Sequence, residues 1–133
     1  MQQVIDPRVT RALAHGQTID ITTTGRLTGA PRRIEIVFHN LDGRIYISGI
    51  PNPHRQRAWL RNLQADPRLM FHLKGPVAVD LPATARVVSD PDERWPILQR
   101  IARIWRRDPE PMQAFSPLVE VEIEGYTPAA AVA

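Results

Sequence analysis

The sequence contains no cysteine, and this absence removes several functional classes at once. Disulfides, thiolate nucleophiles and thiolate metal sites all require cysteine, so none of them can serve this chain. Aromatic residues make up only 6% of the 133 residues. Because proteins that hold single-stranded nucleic acid stack its bases on exposed aromatic side chains, we expect no nucleic-acid partner.

Long apolar runs are also lacking. No stretch approaches the roughly 18 consecutive apolar residues of a membrane-spanning helix, and the N-terminal residues do not form a secretory signal pattern. We therefore expect a cytoplasmic protein without integral membrane contact. Its length predicts one domain over residues 1–133, with a helical N-terminal segment at 1–16 and a disordered tail at 127–133.

Motifs for metal binding and for common catalytic classes are missing as well. The four histidines are scattered without ligand spacing, and the chain has no Gly-x-Ser-x-Gly, Gly-x-Gly-x-x-Gly or Walker pattern. Hydrolase, Rossmann and metalloenzyme functions therefore have no support.

Lysine is nearly absent, because Lys74 is the only lysine among 17 basic residues, and the net charge is +3. Arginine presents a planar fork of donors that matches phosphate and carboxylate groups better than lysine does. The excess of arginine indicates an anionic ligand, either a charged cofactor or, on charge alone, nucleic acid.

A hairpin organises the first third of the chain. Two runs that alternate apolar and polar residues, Ile19–Thr24 and Ile34–Phe38, flank a connection rich in glycine and proline. Arg26, Arg32 and Arg33 lie close to Thr22, Thr23 and Thr24, and this combination of guanidinium, hydroxyl and backbone N–H groups can hold a phosphate. A solvated turn carrying arginines for solubility is the alternative.

The rest of the chain alternates between strand and helix patterns. We expect strands at about 44–48, 68–73, 77–88 and 118–124, and helices at about 6–15, 55–65 and 90–107. Pro82 should mark a bulge or break in its strand, and Glu120, Glu122 and Glu124 should form a solvent-exposed face of the last strand. Tyr46 should point outward, whereas Trp95, Leu98, Ala102 and Trp105 should be buried. Arg55 and Arg57 at the start of the second helix form a second candidate anion site.

These elements predict a mainly β chain with helices (α+β). About six antiparallel strands should close into a small barrel, with two to three helices packed on it.

Two motifs carry a resemblance to a known family. The first is Thr22-Thr23-Thr24-Gly25-Arg26-x-Thr28-Gly29-x-Pro31-Arg32, and the second is Trp59-x-x-Asn62-Leu63-x-Ala65-x-Pro67. Together they resemble the deazaflavin-dependent nitroreductases of the flavin/deazaflavin oxidoreductase superfamily. The resemblance implies a split β-barrel of the FMN-binding type that binds coenzyme F420.

It also implies an F420-dependent oxidoreductase that transfers a hydride to a small unsaturated, quinone or nitro substrate. Arg26 and Arg32 would hold the phosphate or tail of the coenzyme, and Thr23, Thr24 and the backbone of residues 33–37 would border its ring. Arg33 is added on chemical grounds, and Trp59 belongs to the same cofactor site. His54 could donate a proton, although a surface histidine without a role is the alternative.

The chain departs from the family pattern at Leu27, at Glu35 and at residues 49–52. Two cations that face the phosphate are thereby missing, and Arg55 or Arg57 would have to replace them. Two alternatives to F420 dependence follow: an FMN-dependent oxidoreductase, and a non-catalytic protein that binds a flavin or another planar ligand. A homodimer is possible.

Overall fold

The computed structural model describes residues 5–127 of the chain. Six strands and four helices follow one another in the order α1 (Pro7–Leu13), β1 (Thr18–Thr24), β2 (Pro31–Leu41), β3 (Arg44–Ser48), α2 (Ala58–Ala65), β4 (Arg68–Leu73), β5 (Val79–Val87), α3 (Pro91–Trp105), α4 (Pro109–Phe115) and β6 (Leu118–Ile123). The strands form a closed antiparallel barrel in the order β1-β2-β3-β6-β5-β4. The barrel and the α+β class are as predicted, with four helices in place of two to three. Of the expected tail at 127–133, residues 128–133 lie outside the described residues.

The predicted meander β1-β2-β3 is confirmed. β1 and β2 pair without interruption from Thr18 opposite Val37 to Thr24 opposite Pro31. β2 and β3 are joined by Asp42 and Gly43, both at positive φ (57° and 91°). A two-residue connection with both residues at positive φ matches the twist of the flanking strands, so the turn fixes the register of the pair.

The barrel is split along β2. β3 pairs only with Phe38–Leu41, so residues 31–37 have no strand partner on that side within the described chain. The Phe38 N–H donates to the Gln17 carbonyl across the hairpin (3.1 Å). Since antiparallel pairing alternates, the backbone groups of Arg33, Glu35 and Val37 point away from β1. They form the open edge of β2, defined as residues 31–37.

Two apolar clusters hold the molecule together. Inside the barrel, the rings of Phe38 and Phe71 meet edge to face with centroids 5.2 Å apart, and α2 adds Trp59 and Leu63 to the same cluster. The second cluster lies outside the barrel, where α3 and α4 cover β3 and β6. Tyr46 points outward as predicted, yet it is only 5% exposed because these helices lie over it.

The expectations for Pro82, for the start of the second helix and for Glu120 were wrong. Pro82 does not interrupt β5. Its carbonyl accepts from the Glu124 N–H (2.9 Å), and its nitrogen points to the same side, just beyond the last residue of β6. Little strand pairing is therefore lost. The second helix begins at Ala58, not at residue 55. Glu120 does not lie on a wet face, because it is 7% exposed and paired with Arg44 (3.2 Å) and Arg86 (2.8 Å).

The third helix begins after Asp90 as predicted, with the Asp90 carboxylate accepting from the Asp92 N–H (3.1 Å). It buries Leu98 and Ala102, as expected, together with Ile101. Trp95 and Trp105 are only half-buried, which corrects their predicted place in the core. The large indole ring of tryptophan carries a polar N–H and often keeps part of its surface in contact with water.

Within residues 5–127, no helix has both the length and the apolar character needed to cross a bilayer. The cytoplasmic location, the homodimer and the lack of a nucleic-acid partner stay predictions.

Candidate functional site

The hairpin loop, residues 25–30, is tied to α2 by one buried amide. The Arg26 N–H donates to Asn62 Oδ1 (3.1 Å), and Asn62 Nδ2 donates to Thr23 Oγ1 (3.1 Å). Asn62 is 3% exposed and Thr23 is 2% exposed. The two sequence motifs therefore meet in space: Asn62 of the second motif fixes the position of the first. Thr23 is an anchor of this contact, while the neighbouring Thr24 is half-buried at the end of the hairpin.

Two hydrogen bonds fix the backbone of the hairpin loop. The Gly25 N–H donates to the Ala30 carbonyl (2.8 Å), and the Gly29 N–H donates to the Gly25 carbonyl (2.7 Å). A Cβ at position 25 would lie 2.9 Å from the Ala30 oxygen, so this close turn requires glycine. The loop therefore presents Arg26 and Arg32 from a rigid support.

Arg26 and Arg32 are exposed, and no carboxylate lies within ion-pair distance of either among the described residues. Several other arginines are neutralised by an acid. Six have such a partner: Arg8, Arg33, Arg44, Arg68, Arg86 and Arg100. The hairpin guanidinium groups thus remain available to an anion.

Arg33 is in a different situation. Its Nε donates to the Asp20 carboxylate (2.9 Å), and Lys74 bridges Asp20 (2.7 Å) and Glu35 (2.6 Å). Lys74, and after it Arg33, lowers the pKa of Asp20, which keeps this outer-face network charged at neutral pH. Glu35, a departure from the family pattern, therefore has its charge compensated beside the open edge of β2.

The segment before α2 holds His54, Arg55 and Arg57. His54 is exposed, and its backbone N–H donates to Asn52 Oδ1 (3.0 Å). The Arg57 guanidinium packs on Gly49 and donates to the Ile50 carbonyl. Burial, and next the charge of Arg55, lowers the pKa of Arg57. Trp59 is buried in the apolar cluster inside the barrel and is not exposed with this segment.

A groove of about 470 Å³ brings Arg55 and Arg57 together with two arginines that the sequence analysis did not select, Arg61 and Arg94. We call it the basic groove; its floor and far wall come from β5, α4 and the start of β6. Arg61 lies one helical turn after Arg57, so helical spacing could have found it. Arg94 comes from α3, and nothing local connects it with α2.

A larger cavity of about 770 Å³ lies over the outer face of β4, β5 and β6. Glu120, Glu122 and Glu124 line it, and it contains none of the predicted site residues. Its carboxylates make it a poor site for an anionic coenzyme. No cluster of three metal-binding side chains is found in residues 5–127.

A split antiparallel barrel with a cationic hairpin beside an open strand edge defines a protein of the flavin- and deazaflavin-binding class. The model of the F420H(2)-dependent quinone reductase family matches residues 1–108. The chain belongs to this family and is therefore an oxidoreductase that depends on coenzyme F420. The family confirms the predicted cofactor, while the roles of individual residues stay predictions.

Solved structures agree with this fold. An F420 reductase is 15% identical (TM-score 0.63; 85% of this chain, 90% of that chain), and an F420-H2 dependent reductase, FDR-A, is 19% identical (TM-score 0.60; 79% and 93%). A protein of unknown function from Agrobacterium tumefaciens str. C58 is 19% identical with a TM-score of 0.62. The match covers 94% of this chain but only 58% of that protein. At these identities the likeness establishes the fold alone.

Proposed function

We propose that the protein reduces a quinone with electrons from reduced F420, and that the coenzyme binds along the open edge of β2 beneath the hairpin loop. The observation that carries the proposal is the placement of the open edge of β2 beside Arg26 and Arg32, which have no acidic partner within residues 5–127. Backbone N–H and C=O groups can hold the polar rim of a planar ring, and the guanidinium groups can hold its anionic tail.

The residues present fit such a coenzyme. Its phosphodiester and glutamate carboxylates need cationic partners. Arg26 in the rigid hairpin loop and Arg32 at the start of β2 provide them. The carboxylate of Glu35 is compensated by Lys74 (2.6 Å), which reduces its repulsion of an anion. The nearby side chains of Val37 and Ile50 are exposed and apolar, and they could cover a ring and exclude water.

When bound, the reduced deazaflavin supplies a hydride, so that a quinone which also gains one proton leaves as the quinol. The chain's own part is to hold the acceptor and to deliver that proton. His54 is the candidate donor, because it is exposed in the segment that leads into α2 and an imidazole side chain can act as a general acid. A nitro compound or an activated alkene would be a related acceptor.

The test is consumption of reduced F420 by the purified protein in the presence of menadione. We expect one quinol formed per coenzyme oxidised, at a rate well above that of the mixture without protein. If the protein binds F420 but the rate stays at the uncatalysed level with quinone and nitro acceptors alike, it is a binding protein and the proposal is wrong.

His54→Gln is expected to lower kcat by at least tenfold with little change in KM, because general acid catalysis contributes about 10²-fold or more. The measurement is the pH profile of kcat for wild type and variant. His15→Gln, at an exposed histidine outside this segment, is the matched control. An unchanged pH profile in His54→Gln would leave His54 as a surface residue without a role.

A further inference from the structure

The basic groove contains four arginines and no acidic residue among its described lining residues. Arg55, Arg57 and Arg61 crowd one wall, and the mutual repulsion is visible in Arg57, whose pKa is lowered first by burial and next by Arg55. None of these guanidinium groups has a carboxylate within ion-pair distance in the described chain. Concentrated positive charge of this kind attracts an anion.

Arg94 adds a partly buried positive charge to the groove. Its guanidinium donates to the carbonyls of Val88 (3.0 Å), Met112 (3.3 Å), Gln113 (3.1 Å) and Ser116 (2.8 Å). All four acceptors are neutral, so the charge of Arg94 is solvated but not cancelled, and burial lowers its pKa. This cation fixes the end of α4 and raises the potential of the groove.

Two residues that line the groove each carry a buried side-chain atom without a hydrogen-bond partner among the described residues. Ser116 is 5% exposed, and its Oγ has no partner. Gln113 Oε1 is likewise unpartnered, although its Nε2 donates to the Pro91 carbonyl (3.1 Å). Buried hydroxyl groups are costly to leave unpaired. An unpaired donor beside a row of cations is what a built anion site provides.

The remaining walls are apolar. Leu60 and Val87 line the groove, and Phe115 at its rim is exposed over 48% of its surface. This wall favours a ligand with a flat apolar body next to its anionic group. A flexible, polar oligoglutamate chain has no such body. Residues 113–118 also lie beyond residues 1–108 that the family model matches.

We propose that the basic groove binds the acceptor substrate, and that this substrate is an aromatic anion: a planar apolar ring system carrying a carboxylate, sulfonate or phenolate. The proposal rests on the proposed reductase function for its role, but the site itself does not depend on it. The groove is next to the segment that carries His54, because Arg55, the residue after His54, lines it.

Binding is tested without coenzyme by two dyes that share an anilinonaphthalene body. 8-Anilino-1-naphthalenesulfonate carries the anionic group, and N-phenyl-1-naphthylamine lacks it. We expect the folded protein to bind the sulfonate at least tenfold more tightly. The Arg55→Gln/Arg61→Gln double variant should weaken sulfonate binding about tenfold and change binding of the neutral dye less than twofold. Equal affinity for both dyes in the wild type would overturn the proposal.

Arg103→Gln/Arg107→Gln is the matched control, because it removes two exposed charges from the end of α3 and leaves the groove intact. An equal loss of sulfonate binding in this control would show a general charge effect and would overturn the site. Competition separates the two sources of anionic ligand. If F420 displaces the sulfonate dye and a tailless deazaflavin does not, the groove holds the coenzyme tail and the acceptor proposal is wrong.

Ser116→Ala gives a result that a structural role cannot produce. Removal of an unpaired buried hydroxyl should leave the melting temperature of the ligand-free protein unchanged or higher. The same variant should bind the sulfonate dye about threefold more weakly. A lower melting temperature together with unchanged dye binding would contradict the assignment of Ser116.

The same variants link the groove to turnover. With reduced F420, the ratio of KM values for 1,4-naphthoquinone-2-sulfonate and menadione should rise about tenfold in Arg55→Gln/Arg61→Gln. An unchanged ratio, with turnover retained, would refute the acceptor assignment while the reductase function stands. Failure of F420 binding with dye binding retained would refute the reductase function while the anion site stands.

Discussion

Replacing both Arg26 and Arg32 by glutamine should weaken F420 binding about 100-fold. A charge-assisted hydrogen bond contributes about 1.5–3 kcal/mol, and solvent exposure reduces that to about 1.4 kcal/mol, or tenfold, for each arginine. The loop backbone should not change, because Asn62 holds it through the Arg26 N–H and not through the side chain. Fluorescence titration of the coenzyme at constant ionic strength measures the loss.

The control for this experiment is the Arg103→Gln/Arg107→Gln variant, in which two exposed arginines of the α3 end are lost. It should retain F420 affinity within about twofold, since charges further apart than the Debye length of about 8 Å are screened at physiological salt. Affinity in Arg26→Gln/Arg32→Gln equal to that of the wild type would remove the hairpin from the cofactor site.

Asn62→Leu is expected to destabilise the protein by about 2–4 kcal/mol. The leucine fits the volume but leaves the Thr23 hydroxyl and the Arg26 N–H without their partner in a buried contact. The hairpin loop should become mobile, so F420 affinity should also fall, even though the amide does not face solvent. Urea unfolding gives the free energy of unfolding, and titration at a temperature where the variant is folded gives the affinity.

Gln64→Leu serves as the control on the same helix, because Gln64 is exposed and makes no buried contact. It should change the free energy of unfolding by less than about 0.5 kcal/mol. A loss below about 0.5 kcal/mol in Asn62→Leu would show that the contact between the two motifs is not what fixes the loop.

The strands could be predicted from the sequence because local chemistry determines them. Alternation in β1 and β2 sets which side chains face the barrel, and the Asp42-Gly43 turn sets the register of β2 and β3. Asp90 marks the start of α3 in the same way, through its own side chain. Each of these signals is contained within a few residues.

The expectations that were wrong depend on partners distant in sequence. Pro82 is compatible with β5 because β6 ends beside it, and this could not be known before the strand order. Glu120 is buried because Arg44 and Arg86 come from neighbouring strands and pair with it. Trp95 and Trp105 depend on how far α4 covers α3. Tertiary contacts override local pattern at all of these positions.

The candidate site shows the same difference between local signals and contacts that are distant in sequence. The hairpin arginines were found because their motif is contiguous, whereas the basic groove combines residues from α2, α3 and α4. Arg94 and Ser116 approach each other only through the packing of α3 on α4, where the guanidinium lies 2.8 Å from the Ser116 carbonyl oxygen. No spacing rule in the sequence connects positions 61, 94 and 116.

The central claim is that the hairpin guanidinium groups hold the anionic tail of coenzyme F420. It is tested most directly by titrating the wild-type protein with F420 and with a deazaflavin that lacks the phosphodiester and glutamates. We predict that F420 binds about 100-fold more tightly at physiological salt, and that the difference shrinks as salt increases. Equal affinity for the two compounds would contradict the account.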